Sequence, residues 1–376
     1  MSTLKFESVE KRNAANRYKH CISFTAAKSA FLDEKLVTGV GRPSVLVYAF
    51  VVVDPLSLAK IADELQSLYS KEGIAPGELK SARLIASSRG RKRYEAIGES
   101  VCRLGARVFL SIVEKRYQAC SMIAETFLDP FLHDDAPPEM KQPAFRQKFS
   151  DACYDALDDR RLVEFLDAVR ADNVPAIVAV GKRFGATLRL HPDDFVSYAA
   201  DRMETRAESV FRYSQRREGF PRNSHIPASQ YAAFYPGLQC VDAHLDRIDA
   251  TAVLVRDEDV HFGEPLQIAV ERGRDLDLLP GAEDYGALQL NHIQSCRSAS
   301  SEQELGIQMA DLAAGAFGRA AQESALGNRA APVTQKIVDV WRGTIDLPGA
   351  HYVMVSDAKL PHVATAIFGS DYERMC

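Results

Sequence analysis

Nine successive residues, Val45-Leu-Val-Tyr-Ala-Phe-Val-Val-Val53, form the strongest strand pattern of the chain. A segment apolar on both faces predicts a strand covered on both sides of its sheet. Arg107-Val-Phe-Leu-Ser-Ile-Val113 predicts a second such strand, ending in Glu114-Lys115. Thr251-Ala-Val-Leu-Val255 predicts another, ending in Arg256-Asp257, and Leu288 to Ile293 and Tyr352 to Val355 two more. Ahead of them, Ser29 to Leu36 reads as a short apolar approach to Asp33 and Glu34, hence a first strand. The competing first strand is Cys21-Ile-Ser-Phe-Thr25, which no acid follows. Helical spacing covers Leu56 to Tyr69, about Arg91 to Leu104, a short piece around Pro265 to Glu271, and Val333 to Trp341. From 118 to 245 the pattern is mostly helical, with amphipathic stretches near 144–170 and 193–218.

Strands alternating with helices predict an α/β core. The pattern divides the chain into a first half of the core at 20–117, a helical insertion at 118–245, a second half at 246–325 and a helix-and-strand extension at 326–376. One helix stands out, Glu304-Leu-Gly-Ile-Gln308-Met-Ala-Asp311-Leu-Ala-Ala-Gly315. It follows a serine-rich break from Ser295 to Ser301, and Ser301 with Glu304 has the spacing of a capping box. Leu305, Met309, Leu312 and Ala316 make a buried stripe, with Glu304, Gln308, Asp311 and Gly315 on the stripe beside it. A mid-helix glycine costs about 1 kcal/mol against alanine, so Gly315 implies a close backbone approach. Asp311 is then either solvated at an edge or aimed at something positive.

Composition narrows the classes. The net charge of -5 gives no global basic field, so contact with a polyanion depends on local patches. No apolar run reaches membrane-spanning length and no leader pattern opens the chain, which predicts a cytoplasmic protein without membrane partners. Seven scattered cysteines without a Cys-x-x-Cys pair argue against a disulfide frame or zinc knuckle.

Asp33, Glu114 and Asp257 are read at the carboxyl ends of strands, with Glu78 and Asp311 flanking them in loop and helix. Ligands of open α/β sheets collect at that edge. Clustered carboxylates repel unless protonated or bridged by cations, and Mg²⁺ or Mn²⁺ takes such oxygen ligands. A pair of these ions about 4 Å apart can clamp the oxygens of a phosphodiester. The alternative is that these acids merely end strands. Lys80, Arg83, Arg89, Arg91, Lys92 and Arg93 form a dense basic run beside Glu78. Arginines opening a helix oppose its dipole, which favours phosphate binding over a solvated face. Arg212, Arg216, Arg217 and Arg222, interleaved with Phe211, Tyr213 and Phe220, suit either single-strand contacts or an ordinary half-buried helix. Cys240, Asp242 and His244 form a weaker metal-like grouping.

The order Phe31-Leu32-Asp33-Glu34, Tyr48 to Val53, Glu78-Leu79-Lys80, Val113-Glu114-Lys115 and Gln308-Met309-Ala310-Asp311 resembles the bacterial family catalogued as domain of unknown function 3800. The resemblance spans two blocks separated by the insertion, and Gln308 to Leu312 is its most specific piece. It implies a ribonuclease H-like mixed sheet flanked by helices and a metal-dependent nuclease, with acids at Asp33, Glu78, Asp257 and Asp311, Glu114 as a further ligand, and Gln308 orienting a water or a carboxylate. It also implies a bacterial defence or mobile-element setting, with nucleic acid and possible protein partners. The competing reading is a catalytically degenerate binding or scaffold subunit. Two departures bear on activity: Lys35-Leu36 stands where the family has Ser-Gly, and Glu114 where it has Asp.

Overall fold

The computed structural model describes residues 4–11, 44–72, 79–128, 136–171, 173–209, 228–257, 270, 290–345 and 351–369. It is a mixed α/β molecule, mostly helical, whose described residues form one sheet of six strands: β1 (Leu4–Lys11), β2 (Val45–Val53), β3 (Arg107–Glu114), β4 (Ala252–Asp257), β5 (Ile293–Ala299) and β6 (Tyr352–Met354). Their order is β5-β4-β1-β2-β3-β6. β2 runs antiparallel to β1 and β3, whereas β1–β4, β4–β5 and β3–β6 are parallel pairs. The carboxyl ends of β1, β3, β4, β5 and β6 therefore share one edge of the sheet.

The helices are α1 (Pro55–Glu72), α2 (Ser81–Ile85), α3 (Ser88–Arg103), α4 (Lys115–Leu128), α5 (Pro143–Ala156), α6 (Asp159–Arg170), α7 (Val174–Leu188), α8 (Asp194–Arg206), α9 (Ala228–Arg247), α10 (Leu305–Ala325), α11 (Pro332–Arg342) and α12 (Leu360–Phe368). Side-chain alternation sorts the central strands into two faces. Val45, Val47, Ala49, Val51 and Val53 join Val108, Leu110, Ile112, Val253 and Val255 in a core shared with α10 and its neighbours α3, α11 and α12. Leu46, Tyr48, Phe50 and Val52, with Phe109, Val113, Ala252 and Leu254, pack under α9 against Phe234, Tyr235, Leu238 and Val241. Helices α4 to α8 enclose a third interior of their own, built on Phe127, Phe149, Phe165, Phe184 and Leu188.

Several sequence boundaries move. The strand pairing with both β2 and β4 is Leu4–Lys11, ahead of the expected 20–117 block. Both expected first strands, around Asp33 and at Cys21 to Thr25, lie outside the described residues. α9, counted with the insertion over 118–245, covers the second face of the sheet, because its apolar side chains bury against β2 and β3. The tail is no appendage: β6 extends the sheet beside β3, Ile345 bridges Val108, and α12 joins the core of α10.

The strand after residue 290 is also displaced. Ile293–Ala299 takes up the serine-rich stretch read as a break, while most of Leu288 to Ile293 precedes it. β5 is an edge strand whose side chains are largely exposed, so serine and arginine are tolerated there and an apolar run is no guide. The capping box does not form either. Glu304 is the N-cap of α10 without a side-chain cap, because its carboxylate accepts from Arg297 Nη2 at 2.6 Å.

Candidate functional site

α10 is buried nearly all round, which its run of alanine and glycine permits. Asp311 is 6 % exposed, so the solvated-edge reading does not hold. Gln308, Asp311 and Gly315 repeat at i, i+3 and i+7 and share one helix face. That face receives the segment following Glu78. Gln308 Oε1 accepts from the Leu79 backbone N–H at 3.1 Å, and its Nε2 donates to the Ser301 carbonyl at 2.7 Å. At Gly315 a Cβ would collide with the Ser81 side chain, which supplies the close approach that the glycine implied. Tyr94 of α3 donates its hydroxyl to the Leu312 carbonyl. The two most specific motifs, remote in sequence, are thus stitched together along α10. Gln308 does this through backbone groups.

Asp257 closes β4 beside Ala299, its register partner on β5, and α10 begins after the turn at 300–304. Because Val253 and Val255 face α10, alternation puts Asp257 on that same face. Asp257 and Asp311 are thus carboxylates of one layer. Asp33 and Glu78 lie outside the described residues. Among the described residues, no group of three or more His, Cys, Asp or Glu side chains could hold a metal ion.

Glu114 departs from expectation. It is 1 % exposed and accepts from Lys359 Nζ at 2.5 Å, the Tyr154 hydroxyl at 2.7 Å and the Ser356 N–H at 3.4 Å. Three strand steps separate β3 from β4, about 14 Å at the usual spacing, too far for a shared ion with Asp257. Gln322 of α10 reaches Val45, the register partner of Glu114. Asp311 stands eleven residues earlier on that helix, about 16 Å along its axis. Glu114 therefore belongs to a separate network.

In that network burial alone would lower the pKa of Lys359, but its hydrogen bonds to Glu114 and Tyr154 outweigh this and raise it. Burial and the Glu114 charge raise Tyr154, keeping the phenol neutral. Arg116 stacks over the Tyr154 ring at 4.1 Å and pairs with Asp159 at 2.9 Å. The network ties β3, the insertion helix α5 and the turn into α12. Lys359 and Tyr154 carried no motif and were missed.

The basic run occupies α2 and α3 with their flanks. Arg83, Arg89 and Lys92 are exposed, Lys80, Arg91 and Arg93 half-buried. Ser87 caps α3 by accepting from the Gly90 N–H, and Arg91 donates to the Ile85 carbonyl at 3.4 Å. The exposed cations project from the helices that Tyr94 and Ser81 dock onto the Asp311 face of α10.

Nothing matches this chain among protein-family models, curated proteins or solved structures. Its chemistry has to be read from its own residues.

The Cys240, Asp242 and His244 grouping resolves into structure. Asp242 accepts the backbone N–H groups of Asn291 and His292 at 3.0 and 2.8 Å, and His244 packs on Phe109. Asp242 fixes α9 to the chain entering β5, and His244 packs α9 against β3. The Arg212, Arg216, Arg217 and Arg222 cluster lies outside the described residues. No described helix is long and apolar enough to cross a membrane.

Proposed function

We propose that this chain is a ribonuclease H-like, divalent-metal-dependent nuclease that hydrolyses phosphodiester bonds of RNA or DNA. The observation that carries the reading is a combination of topology and placement. Three antiparallel strands, β1 to β3, continue through parallel β4 and β5 in the order 3-2-1-4-5, with the Asp311 helix packed across that sheet. Asp257, at the carboxyl edge, and Asp311 belong to one layer, and α2 and α3, which carry the exposed cations, dock on the Asp311 helix. Carboxylate oxygens are the donors that Mg²⁺ or Mn²⁺ takes. In this reading Asp257 and Asp311 would contribute to such a set, which Asp33 and Glu78 would complete; Glu114 is committed to Lys359 and drops out. A bound metal would supply Lewis acidity and an activated water. The protein's own part is to hold the carboxylates on rigid elements, to fix the 79–83 segment through Gln308, and to attract the phosphate backbone with Arg83, Arg89 and Lys92.

The test is calorimetric titration of Mn²⁺ into wild type and Asp311→Ala, followed by cleavage assays on labelled single- and double-stranded RNA and DNA. Binding abolished in Asp311→Ala, together with metal-dependent cleavage, is expected. Absence of Mn²⁺ binding in both proteins would favour the non-catalytic binding or scaffold subunit.

A further inference from the structure

A guanidinium keeps its charge at any pH the fold survives, so burying one calls for an anion beside it. Arg256, the penultimate residue of β4, is 6 % exposed. Its Nη1 donates to the Asp257 carbonyl at 3.1 Å and its Nη2 to the Ser298 hydroxyl on β5. Nε is buried and has no acceptor among the described residues. No ion pair to a described carboxylate accompanies it, unlike Arg116 with Asp159, Arg297 with Glu304 or Arg103 with Glu64. Among the described residues only two neutral oxygens meet this charge, and no carboxylate compensates it.

Packing does not explain this residue. Replacing buried charge by apolar bulk is commonly neutral or stabilising, so the fold gains little from an arginine here. Its location is informative. Arg256 alternates onto the α9 face, one residue from Asp257 on the α10 face, at the carboxyl edge of the parallel pair β4–β5. The planar guanidinium fork matches the oxygens of a phosphate in a way that an ammonium does not.

We propose that Arg256, with Ser298, forms a phosphate-binding subsite for a nucleic-acid strand, seating one phosphate at the carboxyl end of β4 on the face opposite the Asp257 carboxylate. The assignment of that phosphate to nucleic acid rests on the nuclease reading; the anion subsite itself does not. Arg256 is a positioning residue, anchoring the strand next to the phosphodiester to be cut.

The experiment uses the full chain in EDTA, comparing wild type with Arg256→Gln. Inorganic phosphate should raise the melting temperature of wild type and leave that of Arg256→Gln unmoved. Without phosphate the variant should melt at or above the wild-type temperature. For a single-stranded oligonucleotide, the slope of log affinity against log salt should fall by about 0.7 in Arg256→Gln, the change that follows when one fewer phosphate is neutralised. Should Arg256→Gln not fold, Arg256→Lys serves: it retains the salt slope and binds phosphate at least several-fold more weakly. A phosphate response that survives substitution, or none in wild type, overturns the subsite. Mn²⁺-dependent cleavage at wild-type rate and KM in Arg256→Gln would sink the subsite while sparing the nuclease. Phosphate binding that depends on Arg256 without any cleavage would do the reverse.

Discussion

The carboxyl ends of β3 and β4 lie on one edge of the same sheet, each closed by an acid, yet they are built on opposite logic. At β3 the buried Glu114 meets an ammonium and a backbone N–H from the turn into α12 and a phenol from α5. At β4 a buried arginine meets, among the described residues, only neutral oxygens, and the neighbouring acid points to the other face. A saturated network fastens parts of the fold together; an unsaturated one leaves binding capacity in place for something else. Strand-end acids that look alike in sequence thus divide by their partners.

The largest effect that would sharpen this contrast is at Lys359. Lys359→Met strands the Glu114 carboxylate in the interior and should cost about 3 kcal/mol, the lower end for breaking a buried pair because Lys359 is partly exposed. Urea unfolding would measure it, and Arg256→Gln at the other end should show no such loss. A comparable loss in both would erase the distinction between the two ends. Next comes Gln308→Ala, which deprives the buried Leu79 N–H of its acceptor. A loss of about 2 kcal/mol is expected, with faster hydrogen exchange at Leu79.

A smaller, pH-dependent effect belongs to Asp151, near the β3 end. Burial, and then the charge of Asp357, push its carboxyl up to about 6, although the Asp357 N–H that it accepts at 3.1 Å pulls the other way. The native state therefore holds this proton more tightly than the unfolded chain, and stability falls as pH rises from about 4 through 6. Asp151→Asn should remove that fall, stabilising the protein at pH 8 and leaving it unchanged at pH 3.5. Equal effects at both pH values would refute the assignment. Least of all for stability, reversing the exposed Arg83 and Lys92 to glutamate should leave the melting curve alone while weakening oligonucleotide binding at low salt. Unchanged affinity would remove that patch from the interface.

The interior of this fold was legible and its margins were not. β2, β3 and β4 announce themselves as apolar runs because both of their faces are covered. β1 alternates charged and apolar residues and gives no apolar run, and β5 reads as a serine-rich break because an edge strand can keep its side chains in water. α12 was missed since nine residues opening on Leu-Pro make too short a pattern. In the site, the order of motifs foretold that the Leu79 segment and the Asp311 helix belong together, and Gln308 joins them. Glu114 misled because its partner Lys359 is 245 positions away and neither carries a local signature.

The separate interior of α4 to α8 gives the polypeptide more than one unit able to melt cooperatively. The Glu114, Tyr154 and Lys359 contact is then a coupling between units, and calorimetry after its removal should split one endotherm into two. A graft fastened by a few polar rivets, with Gln147 and Asp151 on Asp357 beside the Glu114 contact, can be exchanged in evolution while the sheet beneath is kept.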